Sequence, residues 1–442
     1  MTSQSSSLSG IHPTLVLALV CWLGMSLVLI VLGWIHAAAF TEIADMDIRV
    51  FYDAALAVRN GDDLFAAYSD DPYLTYIYPP LLAIVFTPLT LLSLESAAVV
   101  WTVISVLLLA ACLVFGGRNF LKRFKARIDV ATLPVVLFIS VLLFFPRIKA
   151  ELDQGQIDFI VLLAIILGLI WINRYPVLAG IALGLAANIK YQTIIFLPFF
   201  VVRGWWSAAI GFIAGALAGV LSGVLVFGWY GNLDYLRRAF AGMASMLGLP
   251  AGEGPLPVIR PMDWGDSLSL ASTFARWSDH GAVVIGMIGL AALICFLFAW
   301  LLYRINGQSL FCGRTGLHGR TDESQQPLIA LEWLGLLVAM VAFAPQTKMR
   351  HLVFLLPVIM LTVQLLVVRR QGVWRLPLLI SLIVMMIGFT LPPGSPESMA
   401  EWREQWRREG GPTWCALLVF FTMLWTGLRW VRSSQQMKSE CP

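Results

Sequence analysis

The sequence predicts an all-α protein that threads repeatedly through a membrane, and three observations predict it. Of its 442 residues, 59% are hydrophobic and only 13% charged, too little polar surface for a soluble globule of that size. Runs such as "PTLVLALVCWLGMSLVLIVLGWIHAAAF", "AAVVWTVISVLLLAACLVFG", "AVVIGMIGLAALICFLFAWLLY" and "HLVFLLPVIMLTVQLLVV" are long enough, or nearly so, to cross ~30 Å of hydrocarbon. Finally, the basic residues gather in short clusters after apolar runs, which marks cytoplasmic loops.

Taken in order, the first run (13–39) follows "MTSQSSSLSGIH", which holds no lysine or arginine. It reads as a retained anchor rather than a cleaved signal. With the N-terminus inside, this span exits and puts the acidic segment 41–76 outside. The next span (96–117) re-enters before "RNFLKRFKAR", which carries five basic residues and no acid. Spans at 129–146 and 157–173 bracket the outer stretch "PRIKAELDQGQID". Span 205–229 exits, 230–278 lies outside, and 281–303 returns to a cytoplasmic loop at 304–327. Spans 328–344 and 351–368 bracket "PQTKMR", and 374–391 and 413–430 complete a single domain of about 10–12 membrane helices.

Two stretches resist full spanning. "YPPLLAIVFTPLTLL" (78–92) is short and holds three prolines, so it is expected to be partly embedded on the outer side. "VLAGIALGLAANIKYQTIIFLPFF" (177–200) lies between Arg174 and Arg203, whose ends both favour the cytoplasm. A broken hairpin with Lys190 near the break satisfies this, and a single tilted helix is the alternative.

Polar residues converge on the outer side. Asp45 and Asp47, then Glu151, Asp153, Gln154 and Gln156, then Asp266 and Ser267, then Lys348, Arg350 and His351 come from four separate loops. From Thr41 to Tyr76 there are eight carboxylates against two arginines, and charge held near hydrocarbon needs a reason. Each residue also has a plainer reading. Asp47 suits an N-cap for "IRVFYDAALAVRNG", a helix expected to stop at Gly61. "ELDQGQIDF" suits an interfacial turn or, alternatively, a clamp for sugar hydroxyls. Lys190 would either snorkel to an interface or meet a buried anion such as a phosphate. His351, beside Lys348 and Arg350, would help hold an anionic leaving group or move a proton. Trp264 and Trp277 are candidates for stacking on sugar.

Composition also excludes some classes. No basic patch belongs to a soluble domain, so nucleic acid is not expected as a partner. The six cysteines fall in apolar spans or cytoplasmic segments, and no spacing suggests a disulfide, a metal site or a cofactor.

Several pieces together resemble glycosyltransferase family 87 of the GT-C superfamily, the polyprenol-phosphate-mannose-dependent transferases. They are "DIRVFYDAALAVRNGDDLF", "YIYPPLLAIVFTPLTLL", "GQIDFIVLLAIILGLI", "AGIALGLAANIKYQTIIFLPFFVVRGWW", "GDSLSLASTFARW" and the His351 segment before "LVFLLPVIML", in the family's order. The resemblance implies a GT-C-type helical bundle with interfacial or re-entrant helices on its outer face. It also implies an inverting mannosyltransferase using a polyprenyl-phosphate-sugar donor, a lipid-linked or envelope glycan acceptor, and Asp47 as acid/base residue. Gly155 and Gln156 match the family's "GQ" element, Lys190 its lysine, and Asp266-Ser267 its Asn/Gln-Ser pair. The late motif departs: "APQTKMRHL" has no tryptophan and a single histidine. By this reading Lys190, Lys348, Arg350 and His351 hold the donor phosphate. Asp45, Glu151, Asp153, Gln154, Gln156, Asp266 and Ser267 would contact substrate. The competing functions are a flippase for lipid-linked sugar, with charges along a path through the bilayer, and a non-catalytic subunit of an envelope-assembly complex.

Overall fold

The computed structural model describes residues 13–38, 46–65, 73–125, 129–246, 256–311, 323–368, 375–390 and 397–440. Among them every regular element is a helix. The first group comprises α1 (Pro13–Ala38), α2 (Asp47–Asn60), α3 (Pro80–Phe86), α4 (Leu94–Arg123), α5 (Thr132–Asp153) and α6 (Asp158–Trp171). Next come α7 (Pro176–Ala187), α8 (Phe196–Arg203), α9 (Trp206–Leu221), α10 (Val224–Met246), α11 (Leu270–Trp277) and α12 (Gly281–Ile305). The last are α13 (Gln326–Ala342), α14 (Leu356–Val367), α15 (Leu376–Thr390), α16 (Glu397–Arg408) and α17 (Gly411–Glu440).

Six helical segments are long and apolar enough to cross a membrane: α1, α4, α5, α12, α17 and Met349–Val367, where a 3-10 turn feeds α14. Six shorter apolar helices of 10–17 residues accompany them, each covering roughly 15–25 Å at 1.5 Å per residue. The chain is therefore an all-α polytopic membrane protein. Leu113, Val141, Ile165, Leu334, Ile359 and Met423 lie in its main core. By contrast α12 exposes Ile285, Leu290 and Ile294, the surface expected of a lipid-facing helix.

Contacts at the helix ends fix the direction of each pass. At one end Arg123 donates to Gln326, Asn173 donates to the same side chain, and the Trp430 indole donates to the Phe124 carbonyl. Arg203 is buried there against Glu332 (Nε to Oε2, 2.8 Å), and Arg375 holds the Leu366 and Val368 carbonyls. At the other end the Trp101 indole donates to the Gly155 carbonyl, and the Leu268 N–H donates to Thr347. The Thr413 hydroxyl and Leu268 carbonyl also meet there. The arginine-rich loop ends thus share one side, and the segments rich in candidate site residues share the other.

Glycines settle the course of 177–203. Gly211 lies against Val177, Gly215 against Ile181, and Gly219 against Asn188, so α7 and α9 run parallel. A Cβ at Gly184 would stand 2.0 Å from the Phe212 carbonyl oxygen, so only glycine permits this backbone approach, a small-xxx-small interface. Between two parallel helices the chain has to run back, and it reverses at Lys190, before the 3-10 turn Tyr191–Ile195 and α8. This is the broken hairpin, not a tilted single helix. A second break follows, where α9 and α10 meet at 91°.

At the site-bearing end a second apolar cluster forms from Ile48, Phe51, Ala54, Leu82, Phe86, Trp101 and Ile157. It seats α2 and α3 on the mouth of α4. The short 78–92 stretch accordingly lies beside α2 rather than spanning.

Candidate active site

Asp47 is the first residue of α2, but it does not cap that helix. Met46 occupies the N-cap without a side-chain cap bond, and the Ile48 N–H is satisfied by the Gln154 carbonyl at 3.1 Å. That backbone bond needs a close approach: Gly155 adopts φ 62, and a Cβ there would stand 2.6 Å from the Ile48 Cβ. The turn after α5 therefore caps α2 and leaves the Asp47 carboxylate for other work. At its C-terminus α2 stops at Gly61, with φ 79, as its sequence predicts.

The Asp47 carboxylate receives the Gln156 side-chain amide and an ion pair from Arg350 (Nη1 to Oδ2, 2.5 Å). Both partners are 14–17% exposed, open enough for a substrate to approach. Next to Arg350, His351 accepts the Lys348 backbone N–H on Nδ1 at 3.2 Å. Nε2 stands 3.3 Å from the Lys190 ammonium.

Lys190 has a standing anionic partner inside the protein. Its Nζ lies 2.9 Å from Asp158, with side chains 7% and 0% exposed. Asp158 opens α6, and its backbone N–H is taken by the Glu151 carboxylate at 2.9 Å. Tyr78 stands within electrostatic reach of Lys190, Asp47, Asp158 and Arg350. A connected polar cluster thus runs from Asp47 through Arg350 and His351 to Lys190, Asp158 and Glu151.

Lys348 is half-buried, and no carboxylate among the described residues forms an ion pair with it. Burial, then the positive charge of Arg350, pulls its pKa down to about 8. Its ammonium lies 5.0 Å from the Trp264 ring centroid, and the Arg260 guanidinium stands 4.8 Å from the same centroid. Trp264 therefore serves cations, whereas the Trp277 indole is tied to Glu409.

The remaining sequence candidates divide. Ser267 is fully buried in a hydroxyl cluster with Ser269 and Ser272, and its oxygen accepts the Thr347 N–H at 3.0 Å. It fixes the 345–348 loop and so places Lys348 and Arg350. Gln154 contributes its carbonyl to α2, as above. Asp153 pairs with Lys149 at 2.7 Å on the surface. Asp266 is exposed and faces Arg407 of α16. Asp45 lies outside the described residues. Sequence reasoning passed over Asp158 and Tyr78. Asp158 had a signal: it and Lys190 are lone opposite charges at the edges of apolar stretches, and such charges tend to find each other.

Comparison with known families supplies the class. Residues 76–317 match the model of glycosyltransferase family 87. The chain belongs to glycosyltransferase family 87. That match covers more than half of the chain and includes Tyr78, the "GQID" turn, Lys190 and Ser267; Asp47 precedes it, and the Lys348–His351 segment follows it. No curated protein and no solved structure gives a significant match. As a family member the chain is a glycosyltransferase, taking a sugar donor and an acceptor.

Proposed function

We propose that this glycosyltransferase moves a hexose, mannose by the sequence resemblance, from a polyprenyl-monophosphate-sugar to a lipid-linked or envelope glycan. The observation that carries the reading is the meeting of one carboxylate, Asp47, with the Lys348–Arg350–His351 segment at a single end of a membrane bundle. Asp47 accepts the proton of the acceptor hydroxyl as that oxygen bonds to the sugar's C1. The C1–O bond to phosphate breaks, and polyprenyl phosphate departs with its electron pair. Cations around that phosphate stabilise the charge that develops, so no acid is needed for the leaving group. A β-linked donor attacked once gives an α-glycoside, with inversion.

The acceptor-side face is outer by the distribution of charge, because the opposite end carries Arg123, Arg203, Arg304, Arg375 and Arg432. A single cysteine at exposed Asp279 should react with an impermeant thiol reagent in intact cells, and one at exposed Ser309 should not; reversed labelling would invert the site.

The function is tested by incubating purified protein with radiolabelled polyprenyl-phosphate-mannose and a panel of envelope glycolipids. Label should appear in one acceptor class. Lipid moved across a vesicle without transfer would mark a carrier instead.

Lys348 sets a pH dependence. Below about pH 8 it is charged and available to the donor phosphate; above that it loses its proton. Donor affinity should therefore fall as pH rises through that value, by about 10–100-fold, the ~1.5–3 kcal/mol of one charge-assisted hydrogen bond. Binding of a labelled polyprenyl phosphate between pH 6.5 and 9.5 measures it, and Lys348→Met should flatten the curve. Folding stability also depends on this titration: the unfolded lysine titrates at 10.5, so its burial weakens the fold below about pH 8, and this loss is relieved between the two values.

A further inference from the structure

We infer that Arg260 is a further cation of the donor site, placed to meet the negative charge that appears on the lipid phosphate as the sugar leaves. This rests on the lipid-phosphate reading above. Two laced loops put Arg260 beside Lys348. The Gln346 side-chain amide donates to the Arg260 carbonyl and, at 2.9 Å, to the Pro261 carbonyl. Further along the same loops, the Leu268 N–H donates to the Thr347 carbonyl, and the Thr347 N–H to the Ser267 hydroxyl. The backbone of Arg260 is thus tied to the segment that carries Lys348 and Arg350. The side chains meet again on Trp264, with the Arg260 guanidinium 4.8 Å and the Lys348 ammonium 5.0 Å from its ring centroid. The Tyr73 ring centroid lies 4.1 Å from the same guanidinium. Stacking engages the face of a guanidinium, whereas its N–H donors lie along the edge and suit an anion in that plane. Arg260 is also among the positive charges that act on Lys348. Like charges gathered so closely disfavour one another, and an anion between them relieves this.

The charge on that anion changes during the reaction. An intact lipid-phosphate-sugar is a phosphate diester with a single negative charge. Transfer breaks the bond from C1 to the phosphate oxygen, and the electron pair stays with that oxygen. The acceptor oxygen bonds to C1 and gives its proton to Asp47. What departs is a phosphate monoester, which carries about −1.5 to −2 at neutral pH. One cation, Lys348, already matches the diester. Arg350 and Lys190 each stand within ion-pair distance of a carboxylate, Asp47 and Asp158, so less of their charge reaches the phosphate. A cation that answers the added charge contributes more in the transition state than in the ground state. It therefore raises turnover rather than donor affinity.

The test uses the full-length enzyme in lipid nanodiscs without acceptor. Equilibrium binding is measured for sugar-free polyprenyl monophosphate and for intact polyprenyl-phosphate-mannose. The wild type should hold the monophosphate about 10-fold more tightly, the lower range of one charge-assisted hydrogen bond. Arg260→Gln should bind the two lipids about equally, with donor affinity near that of the wild type. Its kcat should fall by a similar factor while KM for the donor changes little. Arg260→Lys, which keeps the charge without the planar fork, should fall between the two, and it reads the same effect if Arg260→Gln does not fold. Equal binding of both lipids by the wild type overturns the inference and leaves the lipid-phosphate donor standing. A preference that survives in Arg260→Gln overturns it too. Equal weakening of both lipids, with lower thermal stability, overturns it by making Arg260 a tie between loops. Binding of neither lipid by the wild type removes the lipid-phosphate donor, and this role of Arg260 with it.

Discussion

Asp47→Asn should lower sugar transfer by about 10²–10⁴-fold, the usual loss when a positioned general base is removed, while the protein still folds and binds polyprenyl phosphate. The size follows from what the residue does and does not do in the fold. Its side chain caps nothing, because the Gln154 carbonyl serves α2 in its place. The apolar contacts that seat α2 come from Ile48, Phe51 and Ala54, which the substitution leaves alone. An asparagine keeps the shape and a hydrogen-bond acceptor for Gln156, but it cannot take a proton, and it releases Arg350 from its ion pair. Donor binding should therefore hold or tighten while turnover collapses. Asp45→Asn, one register away, should retain turnover. Near-normal transfer by Asp47→Asn with loss in Asp45→Asn would move the base to Asp45. Joint loss of donor binding and thermal stability in Asp47→Asn would make the residue a structural partner of Arg350.

Much of this arrangement was legible in the sequence because membrane insertion is governed by few, strong terms. A charge left in hydrocarbon is costly enough to be visible one residue at a time, so basic loops, apolar runs and the grouping of Asp47, Gln156, Arg350 and His351 at one end of the bundle could all be read directly. The α2 boundaries were legible for a local reason, a helical pattern closed by Gly61. Pairing was not. Nothing local says that Gln154 would cap α2 with its carbonyl, which depends on Gly155 and Ile48 meeting across more than a hundred residues. Asp153 looked equal to Glu151 by spacing. Two positions along α5 separate a surface pair with Lys149 from a buried contact with α6. The direction of α8 was likewise undetermined until Gly211, Gly215 and Gly219 aligned α9 with α7.

Lys190 shows how a partner changes the expected effect of a substitution. As a lone lysine in an apolar stretch it implies a ligand, and Lys190→Met would then simply weaken donor binding. With Asp158 2.9 Å away and wholly buried, Lys190→Met strands a buried carboxylate without its cation. Removing one member of a buried pair typically destabilises by ~3–5 kcal/mol, so the single variant should lose expression and thermal stability before binding can be read. Replacing both members with apolar residues is often neutral, and Lys190→Met with Asp158→Leu should recover most of the lost stability. Glu151 would keep its hydrogen bond in that double variant, because it accepts the backbone N–H of residue 158 and not its side chain. Donor binding then becomes measurable without the lysine. We expect it to stay about ten-fold weak or worse, since each charge-assisted hydrogen bond contributes ~1.5–3 kcal/mol and Lys190 is the ammonium set 3.3 Å behind His351. Full recovery of donor affinity together with stability would confine Lys190 to holding α6 against the hairpin, and leave the phosphate to Lys348, Arg350 and His351.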